Sequence, residues 1–263
     1  KLLPNSRSQM IVLDRAIADK DLDHIRLLLN IGADPNRRPN SAGVPTPLER
    51  VFQDDDLALF QVFLDHGTKP PEGNWDAWLR TAYEQRRLEA ARFLMRQGSK
   101  ATVLGSDGLL LVEAAARDGE GSFVKLFTDY GNPSGNALPQ AIARDDRDMV
   151  SLLLTSGLPV NVTHIPTRET LLSHAIRLKR DRVAALLVQR GADIHLQVPE
   201  GQPPLQFAIV TGCHRTVKAM LDAGADPNTP FVLPVSPEFI KLVRPGVMRS
   251  VLRHDRNFTP LML

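Results

Sequence analysis

Gly224-Ala225-Asp226-Pro227-Asn228 occurs a second time, unchanged, as Gly32-Ala33-Asp34-Pro35-Asn36, and in altered form as Gly191-Ala192-Asp193-Ile194-His195. Each copy follows a run of leucines and valines at helical spacing, which makes it a helix stop. A glycine directly after a helix takes the left-handed conformation that closes the last carbonyls. The proline three residues on, present in the two full copies, prevents the helix from resuming. Aligning the helix-stop glycines gives Gly32, Gly67, Gly98, Gly131, Gly157, Gly191 and Gly224, with spacings of 35, 31, 33, 26, 34 and 33 residues. A stop signal that returns at a near-constant interval is an internal repeat.

The residues between the stops carry a family resemblance. The second unit reads Thr46-Pro47-Leu48-Glu49, then Leu57 to Gly67 with leucine and phenylalanine at helical spacing. Thr46 can cap a helix, Pro47 suits its first turn, and Glu49 completes a capping box. This resembles the ankyrin repeat, a turn followed by two helices at a period near 33. The seventh unit, from Pro203-Pro204-Leu205-Gln206 to Asn228, fits almost as well. The resemblance implies an all-α ankyrin-repeat solenoid of about eight units, with hairpin-like fingers between helix pairs. Residues 1–228 form about seven units. Residues 229–263 form an irregular eighth, with a helix pair over Pro237–Val243 and Val247–Arg253, and the start of a ninth at Thr259-Pro260-Leu261. Tetratricopeptide and HEAT arrays share the period but lack the extended turn. The 26-residue spacing predicts a truncated finger before the fifth unit. The sequence does not begin with Met and stops four residues after Thr259, so a longer protein is expected.

Composition excludes several classes. A formal net charge of +2, with 24% charged residues, lacks the basic excess of a general nucleic-acid binder. One cysteine, Cys213, rules out an internal disulfide framework and a cysteine zinc site. No apolar run approaches the roughly 20 residues that span a bilayer, so no membrane insertion is expected. Without a secretory signal, an intracellular, cytoplasmic or nuclear, monomer is the expectation.

Catalytic motifs are missing: no glycine-rich phosphate loop, no HExxH, no GxSxG. The seven histidines are dispersed, and Ser173-His174 are neighbours on one helix, about 100° apart. Neither an enzyme nor a cofactor is expected. Cys213 reads as structural, with a free thiol the alternative. Asp54-Asp55-Asp56 is a candidate metal or basic-partner site, against a helix–helix turn as the alternative. Asn161-Val162-Thr163 and Asn257-Phe258-Thr259 match the glycosylation triplet by coincidence.

The resemblance implies a non-catalytic scaffold or adaptor that binds a protein or peptide on the concave face, made by fingers and inner helices. The alternative is a regulatory or substrate-recruiting ankyrin domain of a larger enzyme or channel. Exposed positions near the inner-helix ends are Asp19, Gln53–Asp54, Glu84–Gln85, Arg117–Asp118, Arg144, Arg177 and Val210–Thr211. The family's TPLH histidine position holds Asp14, Glu49, Arg80, Glu113, Pro139, Ser173 and Gln206. The candidate partner-binding set is Asp14, Asp19, Glu49, Asp54, Trp75, Glu84, Glu113, Arg117, Arg144 and Arg177. It is acidic in the first units and rich in arginine later, an asymmetry that steers a partner more than it adds affinity. Trp75 is expected on the finger between units two and three, as a binding anchor or folded under Pro70-Pro71. The absent TPLH histidine means that the usual links between neighbouring turns are replaced or lost.

Overall fold

A computed structural model describes residues 7–38, 44–69, 74–100, 102–131, 134–164, 169–196, 201–232 and 235–242. The chain divides into two compact units, Lys1–Val103 and Leu104–Leu263. The first holds three helix pairs: α1 (Arg7–Ala18) with α2 (Leu22–Asn30), α3 (Pro47–Gln53) with α4 (Leu57–Asp65), and α5 (Asn74–Glu84) with α6 (Leu88–Arg96). The second holds four: α7 (Leu111–Asp118) with α8 (Gly121–Asp129), α9 (Ala137–Ala143) with α10 (Arg147–Thr155), α11 (Leu171–Arg177) with α12 (Asp181–Gln189), and α13 (Pro204–Thr211) with α14 (His214–Asp222). A further helix, α15 (Pro237–Leu242), follows. The expected helix over Val247–Arg253 and the start at Thr259 lie outside the described residues.

Odd-numbered helices are inner and even-numbered ones outer. Within unit one α3 and α4 pack on α1 and α2. Within unit two α7, α9, α11 and α13 pack in succession, as do α8, α10, α12 and α14. Seven-residue helices such as α3, α9 and α11 are too short to persist alone. Packing holds them: Leu13, Leu48, Leu79, Val112, Leu138, Leu172 and Leu205 share one repeat position and are all buried. Each such side chain contributes roughly 1.5–3 kcal/mol.

The helix stops follow the expected chemistry. All seven aligned glycines have positive φ, from 79° at Gly67 to 102° at Gly98. At Gly32, the glycine amide bonds to the Leu29 carbonyl at 3.0 Å and the next amide, of Ala33, to Leu28 at 3.0 Å, a Schellman closure. The rest of the pentapeptide is also assigned: the Asp34, Asp193 and Asp226 carboxylates accept from the amide two residues on at 2.8–2.9 Å. These are Asx turns that start the finger.

A second set of left-handed residues closes every inner helix twelve residues before each glycine stop, and most of them are not glycine. They are Lys20, Asp55, Arg86, Gly119, Asp145, Lys179 and Gly212, with φ between 53° and 83°. The Schellman pair recurs there, as in Lys179 to Ile176 and Arg180 to Ala175, both 2.9 Å. A side chain in this conformation costs about 1 kcal/mol. Lys179→Gly is therefore expected to raise stability by about 0.5–1 kcal/mol, read as a higher urea midpoint at constant m-value. A lower midpoint would mean that the Lys179 side chain contributes more than its backbone strain removes.

The finger between α10 and α11 is a short hairpin, β1 (Thr163–His164) antiparallel to β2 (Glu169–Thr170), with Thr163 opposite Thr170. A single bridge, Leu104 to Leu110, marks the finger before α7. Between α8 and α9 only residues 130–136 intervene, against 156–170 and 190–203 at the next two fingers. The truncation expected before the fifth unit is present.

Trp75 is not on a finger. Helix α5 begins at Asn74 and runs eleven residues, so Trp75 occupies its first turn. Its half-buried indole packs edge-on against Phe60 at 6.4 Å and Trp78 at 6.1 Å. Burial of that aromatic surface continues the helix back into the connection.

Candidate protein-interaction site

In unit one, the candidate residues separate into groups that the fold uses and groups that it leaves to solvent. Glu49 belongs to the first kind. Its carboxylate accepts from the Thr46 amide at 2.8 Å while its own amide donates to Thr46 Oγ1 at 3.1 Å, completing the expected capping box. Asp14 is half-buried and paired with Arg50 at 3.3 Å. Asp19 is exposed and bridged to the still more exposed Arg15 at 2.8 Å, a contact worth little in water. Asp54 and Glu84 are exposed at the ends of α3 and α5.

The three consecutive aspartates form the helix–helix turn. Asp54 closes α3, Asp55 is left-handed and paired with Arg87, and Asp56 caps α4 by accepting from the Leu59 amide at 3.0 Å. No group of three or more metal-binding side chains occurs among the described residues.

Unit two corrects the expectation for the acidic and basic positions. Glu113 is 5% exposed and accepts a bond from the Ser134 hydroxyl in the following finger. It is an internal link. Arg117 pairs with Asp107 and, at 2.9 Å, with Asp118. Arg177 pairs with Glu169 on β2 and lies over the Phe207 ring at 5.3 Å. Both arginines thus tie the end of an inner helix to an acid on its own finger. Arg144 is exposed, yet donates to the Arg117 carbonyl at 3.1 Å. Val210 and Thr211, expected to be exposed, are 8% and 7% accessible, because α13 lies between α11 and α14. The arginine-rich half of the expected surface is largely committed to the fold.

Glu169 was not legible in the sequence. It is 3% exposed, with Arg177 on one oxygen and His174 Nδ1 3.2 Å from the other. Burial pushes its carboxyl up, but His174 and Arg177 outweigh that and hold it below the ordinary glutamate range. Ser173, the neighbour of His174, bonds instead to Thr170 at 2.5 Å. Burial raises the Cys213 thiol above its usual value, and its nearest acceptor is the Ile176 carbonyl at 3.9 Å. Cys213 is a packing residue.

The missing TPLH histidine is replaced by other links between neighbouring repeats. Gln206 stands at that position and donates to the Thr229 carbonyl at 2.8 Å. Gln202 exchanges two bonds with Val232, at 2.7 and 3.0 Å. Asn36 donates to the Lys69 carbonyl at 2.7 Å. Asn161 holds Gly191 O at 3.2 Å and the Asp193 amide at 2.8 Å. Arg87, Arg180 and Cys213 each reach the end of the preceding inner helix, at Phe52, Ala143 and Ile176.

Paired short helices, left-handed closures at two fixed points per repeat and fingers between pairs define an ankyrin-repeat array. The comparisons agree over part of the chain: residues 138–230 match the family model of ankyrin repeats, in three copies. It is similar to a Treponema pallidum (strain Nichols) protein named for its ankyrin repeats, at 27% identity over 154 residues, 54% of this chain and 52% of that protein. The human transient receptor potential cation channel subfamily A member 1 is 22% identical over 264 residues, 80% of this chain and 23% of the channel. The matches therefore span about half and about a quarter of these two relatives. The ankyrin repeat domain of Bcl-3, a member of the IkappaB family, has the same fold at TM-score 0.56 and 18% identity, with 92% of this chain and 97% of that one covered. Ankyrin repeats are generally protein-interaction modules, and typically a non-enzymatic scaffold. No described helix is long and apolar enough to cross a membrane.

Proposed function

We propose that the chain is a non-catalytic interaction module whose inner-helix side in unit one recognises a basic segment of a protein partner. The observation that carries this is the recurrence of Asp19, Asp54 and Glu84. Each is exposed, and each stands at the C-terminal end of an inner helix. That end carries the negative pole of the helix dipole, where an anion is disfavoured by about 0.3–1 kcal/mol. Apart from the exposed Asp19–Arg15 pair, the helix itself does not favour these carboxylates, and their recurrence in three repeats supports a role outside the helix. Packed helices lie about 8–10 Å apart, close to three residues of extended peptide.

The test is selection from a peptide display library with the whole chain as bait, followed by titration of the best binder. Wild type is expected to enrich Arg- and Lys-rich peptides. The D19N/D54N/E84Q variant is expected to bind them about tenfold more weakly, a difference of ~1.4 kcal/mol, with a flatter salt dependence and no loss of stability. Equal binding by the variant, or enriched peptides without basic residues, would refute the acidic face. Glu49 stays out of this variant because its carboxylate caps α3.

A second reading rests on the similarity to the channel: a chain that matches only 23% of that relative suits a regulatory ankyrin domain within a larger protein. The acidic face has the same role in either case.

A further inference from the structure

The repeat register shows that the first helix pair differs from the other six on one side. Val12 is 44% exposed. At its repeat position the later units hold Pro47, Trp78, Leu111, Ala137, Leu171 and Pro204, every one buried. His24 is exposed, whereas Leu59, Ala90, Phe123, Met149, Val183 and Thr216 at its position are all buried. Leu27 is 57% exposed, and its counterparts are half-buried or buried. Ile11, at 64%, adjoins Val12 on α1. The positions of Val12, His24 and Leu27 belong to the side of a repeat that faces the preceding repeat, as α3 and α4 face α1 and α2, while the position of Ile11 is exposed in other units too, at Ala77 and Asn136.

An end repeat in water normally presents a polar outer face. This one presents isoleucine, valine and leucine, a grouped apolar surface of the kind that marks an interface. We infer that the outer side of α1 and α2 is a repeat-to-repeat interface whose occupant is a further ankyrin-type helix pair. The argument is continuity: within the two compact units the same register buries five equivalent surfaces and leaves this one open, and the matching shape is the helix pair that the array uses everywhere else. Ile11, Val12 and Leu27 make the face mainly apolar, with His24 and its partner Asp21 as the polar group on it, so the occupant's contacting face is leucine- or alanine-rich with a polar contact for His24.

The experiment fuses an idealised ankyrin capping pair, with a polar outer face and an apolar inner one, in helical register ahead of Arg7 of the whole chain. The cap is expected to raise the Tm by at least about 4 °C. In the uncapped chain Val12→Glu with Leu27→Glu is expected to leave the Tm unchanged, since both positions are exposed. In the capped chain the same pair is expected to abolish the gain. No gain on capping of the wild type overturns the inference, and so does a gain that survives the two glutamates. Light scattering on the uncapped chain decides the remaining alternative. A dimer that the glutamate pair converts to a monomer would make the occupant a second copy and overturn the helix-pair assignment.

Discussion

Phe60→Ala is expected to lower the stability of unit one by about 3–5 kcal/mol, the largest loss from any single substitution considered for that unit. Phe60 is fully buried on α4. It meets Phe52 at 6.0 Å, Trp75 at 6.4 Å, Trp78 at 5.5 Å and Phe93 at 5.5 Å, mostly edge to face. Such aromatic pairs add about 0.5–1.5 kcal/mol each beyond the area that they bury. The cluster joins the second and third helix pairs of the unit, since its members come from α3, α4, α5 and α6. It also carries Arg87, which lies 4.7 Å over the Phe52 ring and bonds to the Phe52 carbonyl and Asp55. Truncation at Phe60 leaves a cavity that no single neighbour can fill. The measurement is urea denaturation followed by tryptophan fluorescence, which reports on this unit because Trp75 and Trp78 are the protein's two tryptophans. A loss under about 1.5 kcal/mol would mean that the cluster repacks.

Asp181→Ala is expected to cost about 2–3 kcal/mol. Asp181 opens α12, yet its carboxylate caps the outer helix of the next repeat. It accepts from the Arg215 amide at 3.0 Å, the Thr216 amide at 2.9 Å and the Thr216 hydroxyl at 2.8 Å. Thr216 is completely buried, so without the carboxylate its amide has no water to turn to, while its hydroxyl keeps only the longer bond to the residue-181 carbonyl at 3.3 Å. Burial raises the carboxyl, but these amides and the hydroxyl outweigh it and hold the group below the ordinary aspartate range. A folded-state value below the unfolded one contributes stability above the ordinary carboxylate pKa, and that contribution fades as pH falls through the folded value. The stability gap between wild type and Asp181→Asn is therefore expected to be widest at neutral pH and to close below about pH 4. Glu169 is depressed in the same direction and adds to the wild type's acid sensitivity. Denaturation series at pH 7, 5 and 3 give the answer. A gap independent of pH would show that Asp181 acts through shape rather than charge.

The Asp181–Thr216 pair also shows where sequence reading falls short. Thr216 stands where other repeats carry Leu59, Ala90, Phe123, Met149 and Val183. A hydroxyl at an apolar position was the available signal, and it asks for a partner. The partner lies 35 residues earlier, one repeat back. The arginines misled for a related reason. Helix position alone places Arg117 and Arg177 on the surface. Their acids, Asp107 and Glu169, sit on fingers whose path over the inner helix has no periodic pattern to reveal it. Trp75, expected on the finger between units two and three, stands in the first turn of α5 because its half-buried ring packs against Phe60 and Trp78.

The sequence by itself determined the array: the helix-stop glycines, the pairing of helices, the shortened connection before α9 and the capping box at Thr46. These are local signals, set by backbone conformation and by hydrogen bonds within a few residues, so a single repeat contains them. Gly-Ala-Asp-Pro-Asn is readable for that reason: its glycine closes one helix and its aspartate opens one turn. Only the tertiary structure decided which charges remain available. A carboxylate is free or consumed according to what stands across the next repeat, and that neighbour is some 30 residues away. It likewise decided that five of the seven inner-helix closures use Lys, Asp or Arg in a left-handed conformation. Packing on both sides over-determines those turns, and the strain in each is smaller than the burial that the closure secures.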